Sequence, residues 1–106
     1  MPAHPILKVP GTQPTIGVLT LDLQIEHSHS LKDKRQVIRS LKDRLRAKFN
    51  VATAEIDHQD SWQRAVIGVV TLAGDRARVE ETLQLVEREA ANLLGAYLVG
   101  TEIEYL

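Results

Sequence analysis

The sequence predicts an α+β sandwich, a single four-stranded antiparallel sheet with two helices on one face. Three observations predict it. Strand-like segments with period-two alternation or short β-branched apolar runs recur four times. Helix-like steps of three and four residues recur twice. The segments come in the order β-α-β-β-α-β.

The first strand is Ile16–Glu26, where Leu19, Leu21, Leu23 and Ile25 face one side and Thr20, Asp22, Gln24 and Glu26 the other. A helix follows, with Ser30 placed to cap it and Asp33, three residues on, giving a capping-box-like start. Val51–Asp57, rich in small and branched residues, is the second strand, and His58–Ser61 a turn. Gln63–Ala73 is the third strand. Gly74 and Asp75 break it and cap a second helix, in which Val79, Leu83, Val86, Ala90 and Leu93 form the apolar stripe. Gly95 ends that helix and Tyr97–Leu106 is the last strand. Because each crossover unit must be right-handed, the economical arrangement is the ferredoxin-like sandwich. All four prolines lie at positions 2, 5, 10 and 14, so residues 1–14 are expected to be a flexible or extended tail and residues 15–106 a single domain. The chain shows no internal repeat and no low-complexity tract.

A chain of 106 residues that is 43% hydrophobic can build a core without staples. It has no cysteine, which excludes disulfides, thiolate zinc sites and cysteine catalysis. No apolar run approaches the roughly 18 residues of a membrane span. The N-terminus lacks the basic start and apolar stretch of a secretory signal. A cytoplasmic, bacterial-style protein with no membrane partner is the expectation.

Charge is segregated. Residues 31–49 carry eight Lys or Arg against two Asp, whereas the whole chain has a net charge of −1. Such asymmetry bears on partners rather than on fold. At about 100° per residue, Leu31, Val37, Ile38, Leu41, Leu45 and Phe49 share one arc of the first helix. Lys32, Arg35, Arg39, Lys42 and Arg46 share another, a stripe about 20 Å long that contains no acid. Asp33 and Asp43 fall outside it, so close pairing within the stripe is not expected. The stripe reads either as a solvated helix face or as a phosphate-tracking surface, for which the planar fork of Arg and counterion release are suited. Lys34 is the oddity, since its angle puts it inside the apolar arc. It either snorkels, its ammonium reaching solvent or a carboxylate, or aims its ammonium at a ligand near the helix N-terminus, where amides favour anions, and it is counted with the stripe as a nucleic-acid contact.

The second dense segment is Glu55–Ala65, "EIDHQDSWQRA". Asp57, His58 and Asp60 could serve acid–base chemistry, but the same residues are ordinary turn chemistry. A lone Trp62 reads first as a packing anchor, buried by the sheet or by another chain. His27 and His29 share a face on an extended segment without a fixed ligand spacing, so no metal site is expected. No nucleophile elbow, glycine-rich phosphate loop or paired-ligand motif is present, so no catalytic residues and no cofactor are expected. His29, Asp57, His58, Asp60, Trp62 and Gln63 together form a candidate partner or ligand surface.

The blocks "SHSLKDKRQVIRSLKDRLRAKFNV" and "AEIDHQDSWQRAVIGVV" resemble the YlxP-like family of small bacterial proteins. The resemblance rests on Ser30–Arg35 and on Asp57, Gln59, Asp60, Trp62 and Gln63, and it spans about Ile16 to Leu106. It implies a ferredoxin-like domain of unknown function, with genes that sit beside transcription-termination, initiation-factor and ribosome-maturation genes. It implies no catalytic residue and no cofactor. Helix and resemblance together suggest a binding protein for structured RNA or the ribosome, without DNA specificity. The alternative is a dimeric protein-interaction or ligand-sensing module that binds no nucleic acid. Classical RNA-recognition domains of this fold stack bases on aromatics of the central strands. "IGVLTLDLQI" and "QRAVIGVVTL" contain none, so contact would run through the first helix.

The third strand is apolar on both faces, with Ala65, Ile67, Val69 and Ala73 on one and Val66, Val70 and Leu72 on the other. With Ile16 and Val18 the second set leaves an apolar band outside a two-layer sandwich. The tail or a second subunit would cover it, and a homodimer is the expectation.

Overall fold

The computed structural model describes residues 14–106, so the tail expected over residues 1–14 lies, apart from Pro14, outside the described residues. Its elements are β1 (Thr15–Gln24), α1 (Leu31–Lys48), β2 (Ala52–Asp57), β3 (Arg64–Ala73), α2 (Arg76–Leu94), a 3₁₀ turn (Gly95–Tyr97) and β4 (Leu98–Tyr105). The sheet order is β2-β3-β1-β4, with every neighbouring pair antiparallel. This is the ferredoxin-like arrangement, and the expected elements hold to within two residues.

The core follows from the alternation. Leu19, Leu21 and Leu23 of β1 lie opposite Val69, Ile67 and Ala65 of β3. All six are fully buried against Ile38, Leu41 and Leu45 of α1 and Val79, Leu83, Val86 and Ala90 of α2. Both helices therefore cover one sheet face, α2 over β1, β3 and β4 and α1 beside it against β2. Gly17 makes this close approach possible, because a Cβ there would fall 2.5 Å from Val79 Cγ1 and 2.8 Å from Leu83 Cδ1.

Both helix starts are capped as their sequences imply. The Ser30 hydroxyl accepts from the Asp33 amide at 3.0 Å, and Asp75 accepts from the Arg78 amide at 2.8 Å. The Asp33 carboxylate reaches back, but to the amide of His29 rather than that of Ser30. One core residue differs from expectation: Leu94 is buried and Leu93 is 37% exposed. By angle the two flank the α2 stripe about equally. The chain turns at Gly95, whose φ of +55° favours glycine, and it is Leu94 that closes onto the sheet.

Candidate nucleic-acid interface and the loop beside it

Ile38, Leu41 and Leu45 hold one side of α1 on the core, and this fixes what the opposite side can present. Lys32, Arg35, Arg39 and Arg46 are exposed and Lys42 is half-buried. Four of the five, Arg35, Arg39, Lys42 and Arg46, line an open depression of about 380 Å³ between α1 and β2, with Ile38, Asp43 and Glu55. Among the described residues none of the five pairs with Glu80, Glu81 or Glu87. The exception to an unpaired stripe is Arg46, whose Nη2 donates to Asp43 Oδ1 at 2.9 Å. That corrects the expectation for Asp43: the two residues are one turn apart, within reach despite their difference in angle. Both ends are more than half exposed, so the pair is weak and screened.

Two of the other three cations of α1 point to α2. Arg44 Nη1 and Lys48 Nζ donate to the two oxygens of Glu89 on α2, at 3.1 and 2.9 Å. Lys48 first, then Arg44, hold the Glu89 carboxyl below the usual carboxylate range, against a smaller opposing effect of burial. This clasp ties α1 to α2 and leaves the stripe as the outward charge of the helix.

Lys34, counted with the stripe in the sequence, is buried and not part of the exposed stripe. Its side chain is 1% exposed, and its ammonium neither reaches solvent nor waits for a ligand. Nζ lies 2.8 Å from His58 O, 3.1 Å from Arg64 O, 3.4 Å from Gln59 O and 3.0 Å from Glu55 Oε2. An ammonium has three protons, so four acceptors cannot all receive an aligned bond. Glu55 Oε2 is the one left without such a bond, and its contact with Lys34 is one of charge. The ammonium thus reaches a carboxylate, that of Glu55, rather than solvent, because the β2–β3 loop folds over the lysine and supplies its carbonyls.

The same contacts place the loop against the first turns of α1. Gln63 is exposed but its polar groups are engaged within the chain, Nε2 donating to Glu26 O and Ser28 O and the backbone carbonyl accepting from the Ile25 amide. Ser61 Oγ accepts from the amides of Gln63 and Arg64. His29 is exposed, with its amide held by Asp33. Trp62 is 56% exposed and takes no part in the core, so of the two expected covers the sheet of its own chain is not the one that buries it. The cause is local: β3 begins only at Arg64, and the Ser61 turn leaves Trp62 beyond the end of the sheet. Asp57, Gln59 and Asp60 are likewise exposed and His58 half-buried. Among the described residues no three His, Cys, Asp or Glu side chains gather as a metal site. Likewise, among them no helix is long and apolar enough to cross a membrane.

The sequence pattern of a family described as "Protein of unknown function (DUF503)" matches residues 16–103, and the chain belongs to that family. It is similar to a Bacillus subtilis (strain 168) protein described as "Uncharacterized protein YlxP", 38% identical over 71 residues, 67% of this chain and 77% of that one. Among solved structures it resembles the de novo designed protein Foldit4. That likeness has a TM-score of 0.54 at 14% identity, over 89% of this chain and 97% of the other, and shows the fold alone.

Proposed function

We propose that this is a non-catalytic binding protein of the cytoplasm that associates with structured RNA, on the ribosome or free, through α1. The observation that carries the reading is the stripe. Lys32, Arg35, Arg39 and Lys42 have no ion-pair partner among the described residues, and with Arg46 they run along one helix face. Successive positions are spaced by about 4.5 or 6 Å of helix rise, close to the step between phosphates along a strand. The outer faces of β1 and β3 present Ile16, Val18, Thr20, Asp22, Val66, Val70 and Leu72, with no aromatic platform for unstacked bases. Contact through α1 thus reads backbone and shape rather than base edges.

The test is a gel shift with structured ribosomal RNA across a salt series. The expected result is binding at low salt that falls steeply as salt rises, and its loss on Arg39→Glu/Arg46→Glu. Absence of binding at low salt, or a double variant that behaves like the wild type, overturns the reading.

A second reading, of a dimeric interaction module, is supported by the outer sheet face. There Leu72 and Ile56 are 57% and 55% exposed. They flank an apolar depression lined by Val18, Ala52, Ala54, Ile56, Gly68 and Val70. The two readings are compatible in space, because the outer sheet face and the helices lie on opposite sides of the sheet.

A further inference from the structure

We infer that the loop from Asp57 to Gln63 is a docking site for the cationic side chain of a protein partner, an arginine or lysine in an extended basic segment. The face of Trp62 receives the cation and Asp57 and Asp60 supply the counter-charge. The inference does not rest on the RNA reading, since it concerns a different surface of opposite sign.

The first ground is Trp62 itself. A tryptophan is highly buried on average, and here more than half of it stands in water. Tryptophan is among the residues most enriched at the hot spots of protein interfaces. The second ground is charge. The side chains of Asp57 and Asp60 are exposed, that of Asp57 by 70%. Arg64, which follows the loop, is turned to Asp22, with Nη2 3.4 Å from Oδ1. The buried Lys34 charge is taken up by Glu55 and three carbonyls. Within the six residues Asp57–Trp62 the loop shows to solvent an indole and two carboxylates that have no Lys or Arg partner among the described residues; Asp57 Oδ1 accepts from the His58 amide at 2.7 Å and Oδ2 lies 3.9 Å from His58 Nε2. That combination repels a phosphate and attracts a cation, and Trp is the strongest of the aromatic faces for a cation. Arg suits it best, because its planar guanidinium stacks while its edge still reaches a carboxylate.

The third ground is preorganisation. Lys34 binds the loop from below through His58 O, Gln59 O and Arg64 O. Gln59 Nε2 donates to Glu55 O, and the Ser61 amide to His58 O. His58 adopts a φ of +63°, uncommon for any residue but glycine. A loop so fixed loses little freedom on binding, which favours affinity from a small contact.

Trp62 is the sole tryptophan of the chain, so selectively excited indole emission reports on this loop alone. The experiment titrates the full-length protein with a short synthetic peptide of alternating Arg and Gly. A Glu–Gly peptide and oligouridine are titrated in parallel. The expected result is a saturable change in emission with the Arg–Gly peptide only, weakened by salt. Asp57→Asn/Asp60→Asn is expected to raise Kd by about tenfold, with circular dichroism unchanged. Glu80→Gln/Glu81→Gln, the same change of charge on α2, and Arg39→Glu/Arg46→Glu on α1 are both expected to retain binding at this loop. No saturable change at millimolar peptide overturns the inference. So does equal weakening by the α2 pair, which marks the attraction as non-specific. A larger response to oligouridine than to the peptide also overturns it and assigns Trp62 to base stacking.

Discussion

Lys34 Nζ lies 3.0 Å from Glu55 Oε2 inside the fold, with three backbone carbonyls completing its surroundings. The pair joins α1 to the edge strand β2, and the carbonyls join α1 to the loop that carries Trp62. An ammonium out of water is tolerated only when its acceptors are in place. Removing it strands a carboxylate and three carbonyls at once. Lys34→Met is therefore expected to destabilise by about 3–5 kcal/mol. Glu55→Gln is expected to cost less, because the ammonium keeps its three carbonyls. Urea unfolding of both variants checks the order, and a Glu55→Gln at least as damaging as Lys34→Met contradicts it.

Much of this architecture was legible because it is local. Leu19, Leu21 and Leu23 alternate with polar neighbours, and a period of two with one polar face leaves no other element to build. Ser30 and Asp75 declare helix starts through their own side chains. The anomaly at Lys34 was also visible, since its angle put a charge inside an apolar arc. Its resolution was not visible: its acceptors sit 21 to 30 residues away, on a strand and loop whose position depends on the whole sheet. That the sheet of its own chain leaves Trp62 uncovered is hidden in the sequence for a related reason. Its residue type argues for burial, while the point at which β3 begins decides its exposure, and that is a tertiary fact. Leu93 and Leu94 could not be separated by angle, and the turn at Gly95 separates them.

The Glu89 clasp carries a pH dependence whose sign follows from the lowered carboxyl. A group whose folded-state pKa lies below its unfolded value stabilises fully above the unfolded value, about 4.3 for Glu. That stabilisation is lost as pH falls through the lowered folded value. Glu89→Gln is therefore expected to flatten the acid limb of the stability curve below about pH 4.3 and to leave its shape near neutrality unchanged. Thermal unfolding of wild type and variant from neutral to acid pH checks this. Parallel acid limbs would remove the clasp from the account.

Gly17 is required by space rather than by conformation, since α2 leaves no room for a side chain at this point of β1. Gly17→Ala sets a methyl group against Val79 and Leu83. The expected cost is about 1–3 kcal/mol, the range for overpacking. Gly74, where an added Cβ meets nothing within 4 Å, serves as the control. Gly74→Ala is expected to leave stability within about 0.5 kcal/mol. Chemical denaturation of the two variants side by side checks the contrast.

The outer sheet face bears on assembly. Val18 and Val70 face one another across β1 and β3, Ile16 and Leu72 are the next such pair, and Ile56 lies over Gly68. Of the charges on this face, Arg64 at the start of β3 is paired with Asp22 of β1, and Glu102 and Glu104 lie on β4, which leaves the part of the β2–β3 half over Gly68, Val70 and Leu72 uncharged. A twofold contact that sets one uncharged part on another buries both and keeps the carboxylates at the rim, in water. Ile56 and Leu72 would stand within it, and α1 would remain exposed on each outer side. Light scattering at micromolar concentration is expected to give twice the chain mass of 11.8 kDa. Leu72→Glu is expected to return it to the monomer with its circular dichroism intact, because the side chain already stands in water in the single chain. A wild type that scatters as a monomer, and from which residues 1–14 can be deleted without uptake of a hydrophobic dye, would show that neither a second copy nor the N-terminal segment covers this face.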